Sequence, residues 1–121
     1  MKKLIIIISV LVLGIAAAIP IVTKAVDVNK AYNVGTSYVA LTPAIMVEDN
    51  GLKLSANTRP NKNNVKLNIS QDGVSVATGT FPVQVARVPI TATMYPRKIY
   101  KVHVRATSGT ATGTVHYYTS K

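Results

Sequence analysis

The two histidines, His103 and His116, are the residues best suited to bind a metal ion or to change charge near neutral pH. If their strands form a hairpin with a four-residue loop over residues 108–111, the two side chains lie opposite each other on a polar face. Two histidines with no nearby carboxylate or cysteine make a poor ligand set. We therefore predict no metal site and no cofactor. If the two histidines have no function, they are simply solvent-facing residues on an exposed hairpin.

The acidic residues, serines and cysteines bear on catalysis. The four acids are Asp27, Glu48, Asp49 and Asp72, and no two of them suit glycoside hydrolysis. None of the serines lies in a nucleophile-elbow motif. The chain has no cysteine, which excludes a thiol nucleophile, a thiolate metal site and a disulfide framework. The sequence therefore predicts a protein without enzymatic activity.

Basic residues outnumber acidic ones by fourteen to four, so the net charge is +10. This excess favours an anionic partner, such as a membrane surface or an anionic envelope polymer. Two groups of basic residues are candidates for an anion-binding site: Arg97, Lys98, Lys101 and Arg105 form the first, and Arg59, Lys62 and Lys66 form the second. If the two groups converge they make one anion-binding stripe, and otherwise they are ordinary solvated charges.

Residues 4–22 form an apolar run of 19 residues without a charge, preceded by Lys2 and Lys3. By the positive-inside rule the two lysines hold the start of this run in the cytoplasm, so the residues after it lie outside. As a helix that is apolar on all sides, the run would span ~28 Å, close to the ~30 Å hydrocarbon core of a bilayer. The sequence therefore predicts an extracytoplasmic protein, membrane-anchored or secreted, and we expect no nucleic-acid partner.

The fate of residues 1–25 is open between two interpretations. Thr23 and Ala25 are small residues at the −3 and −1 positions of a secretory signal that is cleaved after Ala25. Alternatively the segment is retained and anchors the protein in a lipid bilayer through residues 4–22. A third arrangement places the helix in the core of a filament, as in pilins.

From Gly35 onward the chain shows short alternating apolar runs between turn signals and no helical period. The clearest unit is a hairpin around Asp72-Gly73, a pair of residues that favours a two-residue turn. This turn pairs Ile69 with Val76 and predicts both side chains on one buried face.

Further strands follow from weaker patterns. Two short runs flank Pro43, which cannot donate to a sheet ladder and so indicates an edge strand or a switch between sheets. Residues 83–85 and 88–94 alternate in opposite phases, which predicts a strand with a bulge between them. From Tyr100 to Ala106 every second residue is apolar, which predicts one buried face and one polar face.

About seven strands in about 90 residues, with turns every 8–12 residues, match the size of an immunoglobulin-like sandwich. The alternating run from Tyr100 to Ala106, followed by Gly109, resembles the penultimate strand of fibronectin type III and related immunoglobulin-like domains over roughly ten residues. The tryptophan usual in those domains is absent, as is any cysteine pair. The resemblance implies a fold and no function, because such sandwiches host many functions.

These patterns divide the chain into three segments. Residues 1–25 are a signal peptide or a retained transmembrane or assembly helix, residues 26–35 are a juxtamembrane linker, and residues 36–121 are an all-β, immunoglobulin-like antiparallel sandwich of about seven strands. We predict a non-enzymatic structural or binding protein displayed outside a membrane, on a cell envelope, a surface assembly or a virion. The alternatives are a secreted cationic toxin or bacteriocin-like effector and a pilin-like filament subunit. The expected partners are a lipid bilayer, an anionic envelope polymer or membrane surface, and other copies of the chain.

Overall fold

A computed structural model describes Ile21–Val22 and residues 26–121. The strands of these residues are β1 (Ile21–Val22), β2 (Asp27–Val34), β3 (Val39–Ala40), β4 (Ile45–Met46), β5 (Lys53–Thr58), β6 (Val65–Gln71), β7 (Val74–Phe81), β8 (Ile90–Thr93), β9 (Tyr100–Ala106) and β10 (Ala111–Ser120). Helices are absent from this described part of the chain. The prediction of an all-β fold is confirmed for these residues.

The strands form two sheets. In sheet A the order is β1-β4-β9-β6-β7, and β3 also pairs with β9. In sheet B the order is β2-β10-β5-β8. The pairs are antiparallel except for β1 and β4, which are parallel. This two-sheet architecture confirms the predicted β-sandwich.

The strand pairs are nested along the chain. β2 pairs with β10, β3 and β4 with β9, β5 with β8, and β6 with β7. This is the pairing of one long hairpin, with its tip at Asp72-Gly73, rolled into two sheets as in a jelly roll. In an immunoglobulin sandwich the last two strands are neighbours in one sheet, whereas β9 and β10 lie in different sheets. The predicted immunoglobulin-like strand order is therefore wrong, although the sandwich is correct.

The core lies between the sheets and is built from alternating residues of each strand. β9 follows the predicted pattern, because its apolar residues are buried and the residues between them are half-buried on the outer face. The largest fully buried side chains include Tyr100, Phe81, Leu54, Leu67, Ile69, Met94, Val102, Val104 and Val115. Burying a side chain of this size contributes ~1.5–3 kcal/mol, which is what holds the two sheets together.

Residues 26–35, predicted to be a linker, contain the first strand of sheet B. β2 pairs with β10 over its full length, and Tyr32 and Val34 belong to the core. The Tyr32 hydroxyl lies 3.0 Å from Thr58 Oγ1, and the ring occupies the space where a side chain at Gly113 would project. The linker prediction is wrong because only the end of β2 is buried, so the apolar alternation is too short to recognise.

The short strand β1 bears on the helix predicted over residues 4–22. Ile21 and Val22 pair in parallel with Ile45 and Met46, so the last two residues of that range are strand, contrary to the prediction. Residues 4–20 lie outside the described residues. Within Ile21–Val22 and residues 26–121, no helix is long and apolar enough to cross a membrane.

The β6–β7 hairpin confirms the predicted turn and corrects its register. Asp72 and Gly73 close a two-residue loop with φ angles of 50° and 84°, as a turn of type I′ requires. The register then shifts, so that Ile69 pairs with Ala77. Val76 is the extra residue of a β-bulge and is 45% exposed, whereas Ile69 is buried. The predicted common buried face of Ile69 and Val76 is therefore wrong.

The strand predicted over residues 83–94 forms only near its end, as β8 (Ile90–Thr93). The residues between Pro82 and Pro89 form a loop, in which Val88 is 80% exposed. The prediction fails because proline lacks the N–H that a sheet ladder needs, and two prolines bracket the segment.

Candidate functional site

An open cavity of about 460 Å³ lies on the outer face of sheet A. β6 and β9 run antiparallel beneath it, so Asn68 lies opposite His103 and Ser70 lies opposite Lys101. We call this cavity the outer cleft; its lining residues are Tyr38, Asn68, Ser70, Asp72, Gly73, Ile99, Lys101 and His103. The polar residues of two adjacent strands thus converge on one concave surface.

A hydroxyl and an imidazole are in contact inside the outer cleft. Ser70 Oγ and His103 Nε2 are 3.1 Å apart, and Ser70 is buried. Burial, followed by the positive charge of Lys101, holds the pKa of His103 below its ordinary value, so the ring is neutral at pH 7. A serine beside a neutral histidine provides two of the three members of a catalytic triad. The third member is a carboxylate that orients the histidine ring, and no carboxylate among the described residues bonds to His103. The pair presents hydrogen-bonding groups at the surface of the cleft.

Tyr38 forms an aromatic wall beside the cleft. Tyr38 is 44% exposed, and its ring meets the His103 ring edge-on, at 6.4 Å between centroids. The guanidinium carbon of Arg105 lies 5.4 Å from the centroid of the Tyr38 ring, within the range of a cation–π contact. Arg105 also donates to the carbonyl of Ala106 at 3.2 Å. These contacts position an exposed aromatic surface next to the polar groups of the cleft.

Three of the seven residues predicted to bind anions share the outer face of sheet A. Lys66 on β6 lies directly opposite Arg105 on β9, and Lys101 lies on the same face of β9. None of the three forms an ion pair with a carboxylate in residues 26–121. One residue of the second predicted group therefore joins two of the first.

The other four predicted residues lie elsewhere. Arg97 and Lys98 are in the turn before β9, where Lys98 Nζ is 3.7 Å from Asp72 Oδ2. Arg59 and Lys62 belong to the segment between β5 and β6. The single stripe of seven basic residues does not form, and anion binding by the three that converge stays a prediction.

The two histidines lie on different sheets, so the opposed pair suggested by the sequence is wrong. The loop between β9 and β10 crosses from sheet A to sheet B instead of closing a hairpin. His116 Nε2 is 2.7 Å from Asp27 Oδ1, and its ring stacks on Tyr118 at 4.7 Å between centroids. No group of three or more His, Cys, Asp or Glu residues in the described ranges could hold a metal ion.

β7 is an edge strand of sheet A that pairs only with β6 within the described sheet. Its eight residues include no charged residue and no proline. Val74 is 66% exposed, and Val76 is exposed at the bulge. Proteins usually protect such edges with charges, prolines or bulges, and β7 has only the bulge. The alternating pattern did not indicate this edge, because it placed Val76 on a buried face; the absence of charge was the available signal.

No protein-family model matches the chain, and no curated protein matches it. Among solved structures, the chain is similar to a protein of the Bacillus endospore appendages, which are described as a novel family of disulfide-linked pili. The two share 14% sequence identity with a TM-score of 0.57, over 78% of this chain and 83% of the other. At this identity the similarity establishes a shared fold.

Proposed function

We propose that this chain is a non-enzymatic structural subunit that assembles with copies of itself into an extracytoplasmic surface filament. The observation that carries this proposal is the uncharged edge strand β7. An edge strand presents unpaired backbone N–H and C=O groups that can accept a strand of another chain. Exposed valines at the start of β7 and in the loop after it add apolar area that such an interface would bury.

A filament requires β7 to pair with a different edge of the next copy, because pairing of identical edges closes into a dimer. β2 offers such an edge in sheet B, and like β7 it has eight residues. β2 carries Asp27 and Lys30, which disfavour pairing with a second copy of β2 in an arbitrary register. Head-to-tail contact between β7 and β2 therefore suits an open assembly.

The similarity to a protein of disulfide-linked pili supports this proposal through the shared fold. The present chain contains no cysteine, so disulfides cannot link its copies. Strand pairing and burial of the exposed valines must supply the stability of the filament instead.

Residues 1–25 deliver the sandwich to the outside or anchor it there, in a lipid bilayer or in the filament core. Mass spectrometry of the protein isolated from its native surface distinguishes these roles. An intact N-terminus supports anchoring or assembly through residues 4–22. Cleavage after Ala25 with release as a monomer would instead support the secreted cationic effector.

The test of self-assembly uses the full chain in detergent, observed by negative-stain electron microscopy and by light scattering after size exclusion. Val76→Lys places a charge on the β7 edge, at a residue that is already exposed, and we expect it to abolish filaments while leaving the circular dichroism spectrum unchanged. Tyr95→Lys is the matched control, because Tyr95 is also exposed and apolar but lies in the turn before β9. Wild-type chains that stay monomeric, or a Val76→Lys variant that assembles as well as the wild type, would overturn the proposal.

A further inference from the structure

The lining of the outer cleft combines one cation and one acid with neutral groups that both donate and accept hydrogen bonds. Lys101 is without a carboxylate partner in residues 26–121, and the one acid that lines the cleft, Asp72, pairs with Lys98. Asn68, Ser70 and His103 supply an amide, a hydroxyl and a neutral imidazole. A ligand with a negative charge and several hydroxyls would satisfy Lys101 together with these neutral groups.

The polar groups of the cleft are fixed in place before any ligand arrives. Ser70 and His103 hold each other at 3.1 Å, and the Ser75 hydroxyl donates to the Asn68 side chain from the neighbouring strand. Each of these side chains projects from a paired strand and not from a loop. A rigid sheet therefore presents the groups, which lowers the entropic cost of binding.

Tyr38 adds a flat apolar surface at the side of this polar floor. Its ring stays exposed while Arg105 and His103 contact it from the sheet. An aromatic ring beside a few placed polar groups and one cation is suited to a ring-shaped ligand with one apolar face and polar edges. Sugar rings have this character, whereas a bare phosphate would leave the aromatic surface unused.

We infer that the outer cleft binds a carboxylate-bearing saccharide, such as a uronic acid unit of an acidic polysaccharide. Lys101 pairs with the carboxylate, Asn68 and the Ser70–His103 pair bind the hydroxyls, and the sugar ring packs on Tyr38. This inference rests on the cleft over β6 and β9 and not on the β7 edge, so it stands or falls independently of self-assembly.

Isothermal titration calorimetry of the full chain with tetragalacturonate tests the site. The methyl-esterified tetrasaccharide is the matched ligand control, because it keeps the sugar rings and removes the charge. We expect binding of the acid form, and at least about tenfold weaker binding of the ester, which corresponds to about 1.4 kcal/mol.

Two variants test whether the ligand binds in the outer cleft. Lys101→Gln should weaken binding about tenfold or more through loss of a charge-assisted contact, and Tyr38→Ala should also weaken it although no charge is removed. Lys53→Gln is the matched control, since Lys53 is exposed on sheet B, and it should leave the affinity within about twofold. Thermal melts of each variant confirm that it is folded.

Four results would overturn the inference. They are no binding of tetragalacturonate at roughly millimolar concentration, equal binding of the methyl ester, equal loss in Lys53→Gln, and equally tight binding of polyglutamate or single-stranded DNA. The last two would show a diffuse cationic surface that attracts any polyanion. If Lys101→Gln does not fold, Tyr38→Ala decides the matter, because an unchanged affinity in that variant contradicts the site.

Discussion

At the scale of single residues, His103 links the outer cleft to pH. Its folded-state pKa is lowered, first by burial and then by Lys101, and Arg105 and the Tyr38 ring also lie close. The unfolded chain, in which histidine has a pKa of about 6.5, therefore takes up a proton more readily than the folded chain does. The contribution of His103 to the free energy of unfolding is therefore fully present above pH ~6.5, where the ring is neutral in both states. This contribution is lost as the pH falls from about 6.5 toward the folded-state pKa.

We expect the thermal midpoint of the wild-type chain to fall between roughly pH 7.5 and pH 5.5, and the fall to be smaller in His103→Gln. Glutamine keeps a polar group near Ser70 and cannot become charged. Melting curves of both proteins at the two pH values give this difference. The carboxylates are the same in both proteins, so their contribution to the pH dependence cancels in the comparison. An equal or larger fall in the variant would show that His103 does not contribute to the pH dependence.

At the scale of elements, Asp72 joins the tip of the β6–β7 hairpin to the turn before β9. Its backbone N–H donates to the Ile99 carbonyl at 2.7 Å, and its Oδ1 accepts from the Ile99 N–H at 2.9 Å. Its φ of 50° lies in the left-handed region, which Asn and Asp occupy more readily than other residues with a side chain. One residue therefore fixes both a turn and the contact between two turns.

We expect Asp72→Ala to lower the free energy of unfolding by about 1–2 kcal/mol, through the lost acceptor for Ile99 and the strained φ. Asp72→Asn keeps an acceptor and tolerates the same φ, so its cost should stay below about 0.5 kcal/mol. Its ion pair with Lys98 is half exposed and contributes little. Urea denaturation measures both variants, and an equal loss in the two would show that the charge matters and the acceptor does not.

Local patterns predicted the elements that depend on neighbouring residues. The Asp72-Gly73 turn is predicted from two adjacent residues, and the buried and polar faces of β9 are predicted from the seven residues of that strand. The bulge at Val76 has no local signal in the sequence. It places Ala77 and Gly79 opposite the buried residues Ile69 and Leu67. A side chain at Gly79 would come within 2.7 Å of Ile90 Cγ2, so this inward position suits a glycine.

The candidate site was predicted only in part for the same reason. Lys66, Lys101 and Arg105 were identified by their charge, but their meeting depends on the pairing of β6 with β9. Tyr38 and Ser70 carried no local signal, because contacts distant along the chain place them beside His103. The polar loop between β9 and β10 has the composition of a hairpin loop, and only the packing of the two sheets makes it cross between them.

At the scale of the whole molecule, the nested pairing brings the two ends of the sandwich together. β2 and β10 are neighbours in sheet B, and the buried core extends from Tyr32 to Tyr117. β1 adds two residue pairs on the outer edge of β4. The core cluster found in residues 26–121 therefore includes residues from both end strands of the sandwich, β2 and β10.

We expect residues 26–121, expressed alone, to be soluble and to unfold in one cooperative transition, with a melting temperature within a few degrees of the full chain in detergent. Removing residues 1–25 takes away β1 and the apolar run of residues 4–22, and it leaves the whole core cluster found in residues 26–121. Calorimetry and circular dichroism of the fragment measure the transition, with the full chain as the reference.

The expected solubility follows from the size of the apolar surface that is removed. At about 25 cal/mol per Å², leaving residues 4–22 in water would cost tens of kcal/mol, more than the ~5–15 kcal/mol that stabilises a domain. An apolar run of this length therefore needs lipid or other apolar segments around it, and a small sandwich cannot cover it. A fragment that fails to fold while the full chain in detergent folds would show that the N-terminal segment belongs to the core of the sandwich.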